Sequence, residues 1–211
     1  MRNFESWETQ DLEMTFGLKQ IWDNQLITNW LASTAIFNEF ETELIERIRD
    51  RILKNVDYWN EDELKLQSIA SILELVNYTS DNFKSFSQRP LSATVNGISI
   101  GGRVDFMLAK GYQKPTHPYF FIHEYKQERK RDNDPKGQLL SELLAAQHQN
   151  KDRFPLYGCY VVGRNWFFVL LQGTEYAVSD AYVSSGNDIY QIIAILRQVK
   201  TYIEGFIAEQ K

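Results

Sequence analysis

The chain has 211 residues, 43% hydrophobic and 14% aromatic, enough to bury one sizeable core and too apolar for a disordered chain. Its 23 Lys and Arg against 28 Asp and Glu leave a formal charge of −5, which argues against a protein that coats nucleic acid over its whole surface but not against a local site. No run approaches the roughly 18 apolar residues of a membrane span, and Met1-Arg2-Asn3-Phe4-Glu5 carries no apolar stretch of the signal-peptide kind, so the cytoplasm is the expected location and no membrane partner is expected.

The first sixty residues read as a helical extension. Over 18–31, Leu18, Ile21, Trp22, Leu26 and Trp30 recur at mixed spacings of three and four and predict one helix with a single apolar stripe. Over 36–56, Ile36, Phe37, Phe40, Leu44, Ile45, Ile48 and Ile52 predict a second helix, whose Glu and Arg residues on the other face can pair along it. Asn60 before Glu61-Asp62-Glu63 predicts the N-cap of a third, over 61–78.

From about Phe83 the period shortens to that of strands. Asn96-Gly97 between two apolar runs is a strong hairpin signal, because both residues tolerate positive φ, so the flanking strands should be antiparallel neighbours. A strand carrying Asp105 follows, then a loop broken by Gly111, Pro115 and Pro118, then a strand over 119–126. Asp134-Pro135 opens a helix over 136–150. Leu156–Val162 reads as a strand buried on both faces, 166–171 and 176–183 as further strands, and Asp188–Ala208 as the last helix. Without an internal repeat or a low-complexity linker, 1–211 is expected to form a single domain.

The chemistry concentrates at Glu124-Tyr125-Lys126, at the end of the apolar run Tyr119-Phe120-Phe121-Ile122-His123. Strand alternation projects Glu124 and Lys126 to one face and Tyr125 to the other. An isolated carboxylate and lysine at this spacing is commonly a surface pair worth about 0 to 1 kcal/mol. Here an earlier strand, Gly102-Arg103-Val104-Asp105, brings a second carboxylate. Asp105 and Glu124 on neighbouring strands meet what magnesium asks of a protein, one or two carboxylates with the remaining positions left to water. Lys126 would then orient the attacking water or stabilise charge on the phosphorus. Among the other candidates, His117, His123 and His148 lack metal-ligand spacing, Gly101-Gly102 is followed by no lysine and helix, and the lone Cys159 reads as a core residue.

In order, helix, hairpin, Asp strand, Glu and Lys strand, helix and buried strand resemble the PD-(D/E)XK nuclease superfamily, with its restriction endonuclease-like αβββαβ core. The likeness covers 61–162, leaving 1–60 as the N-terminal extension and 163–211 as C-terminal strands and a helix. Val104 stands where the family's proline often precedes the aspartate. The run Glu61-Asp62-Glu63-Leu64-Lys65 is similar to the N-terminal nuclease domain of type I restriction subunits. The resemblance implies an α/β fold with a mixed central sheet flanked by helices, and magnesium-dependent, or manganese-dependent, cleavage of nucleic acid, with DNA the expected substrate. It implies Asp105 and Glu124 as metal ligands, Lys126 as the catalytic cation, Glu61 or Glu63 as an added carboxylate with Glu61 favoured, and Gln138 as a substrate or water contact. In some relatives a tyrosine lies four residues after the glutamine, where this chain has Glu142. Arg129, Lys130 and Arg131, beside the proposed centre, are candidates for phosphate contact. A homodimer or larger assembly is compatible with the family. The rival expectation is a scaffold or binding protein that keeps the fold without its chemistry, inside a restriction, repair or defence assembly.

Overall fold

One mixed sheet organises the protein, and both ends of its strand order are supplied by the first twenty residues. The computed structural model describes residues 1–128, 134–151 and 153–209. In chain order the elements are β1 (Arg2–Asn3), α1 (Thr9–Phe16), β2 (Lys19–Gln20), α2 (Gln25–Leu31), α3 (Glu39–Asn55), α4 (Glu61–Leu64), α5 (Ala70–Val76), β3 (Lys84–Val95), β4 (Ile98–Lys110), β5 (Thr116–Lys126), α6 (Pro135–Gln149), β6 (Leu156–Val162), β7 (Asn165–Gln172), β8 (Glu175–Val178), β9 (Tyr182–Val183) and α7 (Asp188–Ala208). A π-helical turn, Lys65–Ile69, joins α4 to α5 without a break.

The strand order is β1-β4-β5-β6-β7-β8-β2, with β3 paired to β4 and β9 to β7. The β3–β4 hairpin turns at Asn96 and Gly97, with φ of 49° and 80°, the positive pair that its sequence requires. β4 and β5 are antiparallel, β5 and β6 parallel, β6 and β7 antiparallel. The sheet is therefore mixed, as expected for an α/β protein whose central strands are covered on both faces.

Helices lie on both sides. On one, α6 packs so closely on β6 that a Cβ at Gly158 would sit 3.2 Å from Leu143 Cδ2 and 3.3 Å from Leu139 Cδ1. On the other, Trp30 of α2 presses edge-on against Phe121, Tyr157 and Phe168 and donates its indole N–H to Ile195 O of α7 at 2.9 Å. Tyr78, just beyond α5, reaches Leu196 O of the same helix at 3.2 Å. Among the described residues, no helix is long and apolar enough to cross a membrane.

The N-terminal region departs from a purely helical extension. The expected helix over 18–31 is cut in two: Lys19 and Ile21 donate to Thr174 O and Tyr176 O at 2.8 Å each, which makes β2 a parallel partner of β8. The remainder begins at α2, where Asn24 accepts from the N–H groups of Leu26 and Ile27. A helix over 9–16 precedes it. α3 starts three residues later than the apolar pattern suggests, because Asn38 and Glu41 close a capping box, leaving Ile36 exposed. The expected strand over 176–183 is two short strands, β8 and β9.

Candidate active site

The pairing of β4 with β5 sets Met107 opposite Ile122 and Phe106 opposite His123. One step further along each strand stand Asp105 and Glu124, where the ladder stops. In its place Asp105 Oδ2 accepts the backbone N–H of Tyr125 at 3.0 Å. Alternation then puts Glu124, Lys126 and Ile122 on one face of β5. Ile122 pairs with Gly158, the residue on which α6 sits, so Glu124 and Lys126 lie on the α6 side.

Glu124 is 2% exposed. Its Oε1 accepts from Lys126 Nζ at 2.7 Å, while Oε2 is buried with no partner among the described residues. Burial first, then the Asp105 charge, pushes its pKa up to about 8 against the opposing pull of Lys126. Burial alone would lower the Lys126 pKa, but the Glu124, Glu61 and Asp105 carboxylates raise it. The two shifts pull opposite ways on the pair. Lys126 is supported by Glu61 and Asp105 as well as by Glu124, so the cation persists even while Glu124 holds its proton below about pH 8.

Asp105 is reached from the other layer. Lys65 Nζ lies 2.8 Å from Asp105 Oδ1 and 2.7 Å from Glu61 Oε1. Gln88 Nε2 donates to the same Oδ1 at 2.5 Å. Gln88 stands opposite Asp105 in the β3–β4 register but is skipped by the ladder, with φ of 53°. Such a backbone costs roughly 1 to 3 kcal/mol, and Arg103 Nη1, donating to Gln88 O at 2.8 Å, helps hold it. A cleft of about 270 Å³ opens here, lined by Lys65, Leu66, Gln88, Asp105 and Tyr125. It adjoins a groove of about 470 Å³ with which it shares Ala70, Leu73, Ser87 and Phe106.

Glu61 and Glu63 separate cleanly. Glu61 is tied to Asp105 through Lys65. Glu63 is a correction: its Oε2 accepts the N–H of Asn60 at 2.8 Å and its own N–H reaches Asn60 Oδ1 at 2.9 Å, so capping the helix uses this carboxylate. Gln138 is 2% exposed and belongs to the buried face of α6. Its Nε2 donates to Glu142 Oε1 at 3.2 Å. Glu142 is fully buried, and burial, then repulsion by Glu124, holds its carboxyl well above the usual range. Arg129, Lys130 and Arg131 lie outside the described residues.

The sequence assigns no role to three residues found here: Lys65, Gln88 and Glu142. Lys65 ends the run that opens with Glu61 without a part of its own, and Gln88 sits in ordinary polar surroundings. Glu142 left a trace, as the only charge between Lys136 and His148 of a helix.

A divalent cation fits the donor set. The available groups are oxygens alone, one oxygen of Glu124 lacks a partner, and magnesium or manganese prefers such ligands. Asp105 and Glu124 would hold it. Among the described residues no three Asp, Glu, His or Cys side chains converge into a ready cage, so much of an ion's coordination would fall to water. A thiol mechanism fits poorly. Cys159 Sγ lies 3.0 Å from His123 Nδ1, but both are fully buried, burial lowers the imidazole pKa to about 3 and raises that of the thiol, and the two stay neutral. Set against known proteins, the chain matches no family model and no curated protein.

Proposed function

We propose that the protein is a metal-dependent nuclease domain of restriction endonuclease-like fold, acting on phosphodiester bonds of DNA. The observation that carries this reading is the parting of β4 and β5 at Asp105 and Glu124, with Lys126 two residues on and 2.7 Å from Glu124 Oε1. Support also comes from the order of elements, since the continuous helix 61–76, β3, β4, β5, α6 and β6 follow the αβββαβ succession. The αβββαβ core and the likeness to type I restriction subunits belong to this proposal, as does the cytoplasmic location.

A bound magnesium or manganese ion would supply Lewis-acid polarisation of the phosphate and a more acidic water. Asp105 and Glu124 would hold it. Lys126, held at Glu124, directs its remaining N–H groups toward the phosphate or the attacking water and neutralises charge that grows during displacement. Glu61 holds Lys65 against Asp105, an ammonium with which the ion would share the aspartate. The cleft beside Asp105 and the adjoining polar groove, with Lys84, Ser85 and Ser87 among its lining, support entry of a polar chain from the β3 side.

One observation favours the rival, a scaffold that keeps the fold without the chemistry: Asp105 Oδ1 already accepts from both Lys65 and Gln88. Incubating the purified protein with single- and double-stranded DNA and magnesium or manganese separates the two. The nuclease reading expects metal-dependent cleavage that Lys126→Ala and Asp105→Asn abolish. Cleavage by Lys126→Ala at the wild-type rate overturns it, and no metal binding at millimolar concentration favours the scaffold.

A further inference from the structure

From Gly137 to Gln147 every residue of α6 is buried, and Glu142 is the only charge in that stretch. A lone carboxylate in such a place is costly, and leucine or methionine would pack there without penalty. Gln138 lies one helical turn before Glu142, and the two are joined by a single long hydrogen bond of 3.2 Å. Glu142 Oε2 and Gln138 Oε1 have no partner, and neither does Glu124 Oε2 on the strand that α6 covers. Three buried acceptors without a donor are therefore gathered between β5 and α6.

We propose that Glu142, positioned by Gln138, is a further residue of the metal centre, holding through water the divalent cation that Asp105 and Glu124 bind. The inference rests on the nuclease reading. Charge supports it. The ionisable groups that feel one another here are Glu61, Asp105, Glu124 and Glu142 against Lys65 and Lys126. With all four carboxyls ionised, as an ion between them would require, four negative charges less two positive leave two, matching one divalent ion. Without Glu142 the same set would leave one, and half of the ion's charge would stay uncompensated in a buried setting.

The bridge is water because no three acidic side chains among the described residues converge on one point. Magnesium keeps several waters when protein ligands are few. Those waters turn their hydrogens outward, and acceptors such as Glu142 Oε2, Gln138 Oε1 and Glu124 Oε2 are what they need. Carboxylates in this outer position typically change metal affinity about 10- to 100-fold when removed. Glu142 is accordingly a positioning residue for metal-bound water rather than a direct ligand.

The test uses the full chain and manganese as the probe. Glu142→Gln keeps the shape, removes the charge and gains donors for the neighbouring acceptors; Glu142→Met is the second variant, apolar and similar in length. The expected result pairs two opposite changes: manganese affinity, read by electron paramagnetic resonance of the free ion, falls about 10- to 100-fold, while the metal-free midpoint of thermal unfolding rises. A residue serving only the fold would lower the midpoint and leave affinity unchanged, and that result overturns the proposal. Asp105→Asn and Glu124→Gln distinguish the levels. If both lose manganese while Glu142→Gln keeps wild-type affinity, this inference alone fails. If none of the variants alters binding, the nuclease reading fails with it.

Discussion

Lys65 Nζ stands 2.8 Å from Asp105 Oδ1, so an internal ammonium already occupies part of the carboxylate assigned to metal. Asp105 receives a second donor on that oxygen from Gln88 and one on Oδ2 from Tyr125 N–H, leaving its approach to a cation through Oδ2. Lys65 also sits at the start of the π-helical turn, a local irregularity frequent at functional sites. A metal ion bound as proposed would share this single aspartate with the resident ammonium.

Replacing Lys65 by methionine should therefore act in opposite directions on stability and on metal. The metal-free protein loses a partly buried ion pair and is expected to be destabilised by about 1 to 3 kcal/mol, read by urea unfolding. Manganese affinity should rise, because the centre then carries one more uncompensated negative charge. Weaker manganese binding in Lys65→Met would show that the lysine organises the aspartate for metal rather than competing with it.

The raised pKa of Glu124 gives metal-free stability a direction with pH. In the unfolded chain this carboxyl titrates at its ordinary value of 4.5, whereas in the fold burial and Asp105 hold it to about 8. The folded state thus retains a proton that the unfolded state has lost between those limits. The favourable contribution is fully present below pH 4.5 and is lost as pH rises through about 8. Its full size is on the order of 5 kcal/mol. Glu124→Gln should flatten this decline in chelator-treated protein, and saturating magnesium should flatten it in the wild type. An identical pH profile in wild type and Glu124→Gln would place the titration elsewhere.

Glu61 and Glu63 are two residues apart but play different parts, and paired alanine variants should show it. Glu63→Ala removes half of the Asn60 capping box and is expected to cost about 1 kcal/mol with metal binding and cleavage unchanged. Glu61→Ala releases the far side of Lys65 and should alter manganese affinity while changing stability little. The reverse assignment of these two effects would return Glu63 to the centre.

How much of this was legible depends on how local the cause is. The Asn96-Gly97 turn and the alternation that pairs Glu124 with Lys126 are properties of a few consecutive residues, and both appear in the structure. The break of the 18–31 helix is not local: β2 exists because Lys19 and Gln20 meet Glu175 and Tyr176 from the far end of the chain. Lys65 looks like any solvated helix residue until β4 brings Asp105 to it. Glu142 was the more readable of the hidden residues, since it falls on the line Gln138, Glu142, Ala146 within a helix whose neighbours are leucine and alanine. A solitary charge on an apolar helix asks for a counterpart, and in the fold it feels the charges of Glu124 and Lys126 on β5.

Placement of Gln138 and Glu142 depends in turn on how α6 is seated, and Gly137 governs that seat. A Cβ at this position would come within 2.5 Å of Trp7 O, 2.7 Å of Thr9 N and 2.8 Å of Glu8 C, all backbone atoms of the segment that opens α1. Asp134 fastens the same junction, its Oδ2 accepting from Thr9 N at 2.8 Å and from Thr9 Oγ1 at 2.6 Å. Neither side can yield by a simple rotamer change, so Gly137→Ala must displace the first turn of α6 or the chain before α1, at a cost of about 1 to 3 kcal/mol. Gly205 in α7 is the control: nothing lies within 4 Å of its Cβ position, and Gly205→Ala should be neutral or stabilise by about 1 kcal/mol through helix propensity. Because Gln138 follows Gly137 directly, the displacement should also weaken manganese binding in Gly137→Ala and leave it intact in Gly205→Ala. Loss of stability in Gly137→Ala with wild-type manganese affinity would uncouple the α6 seat from the metal centre.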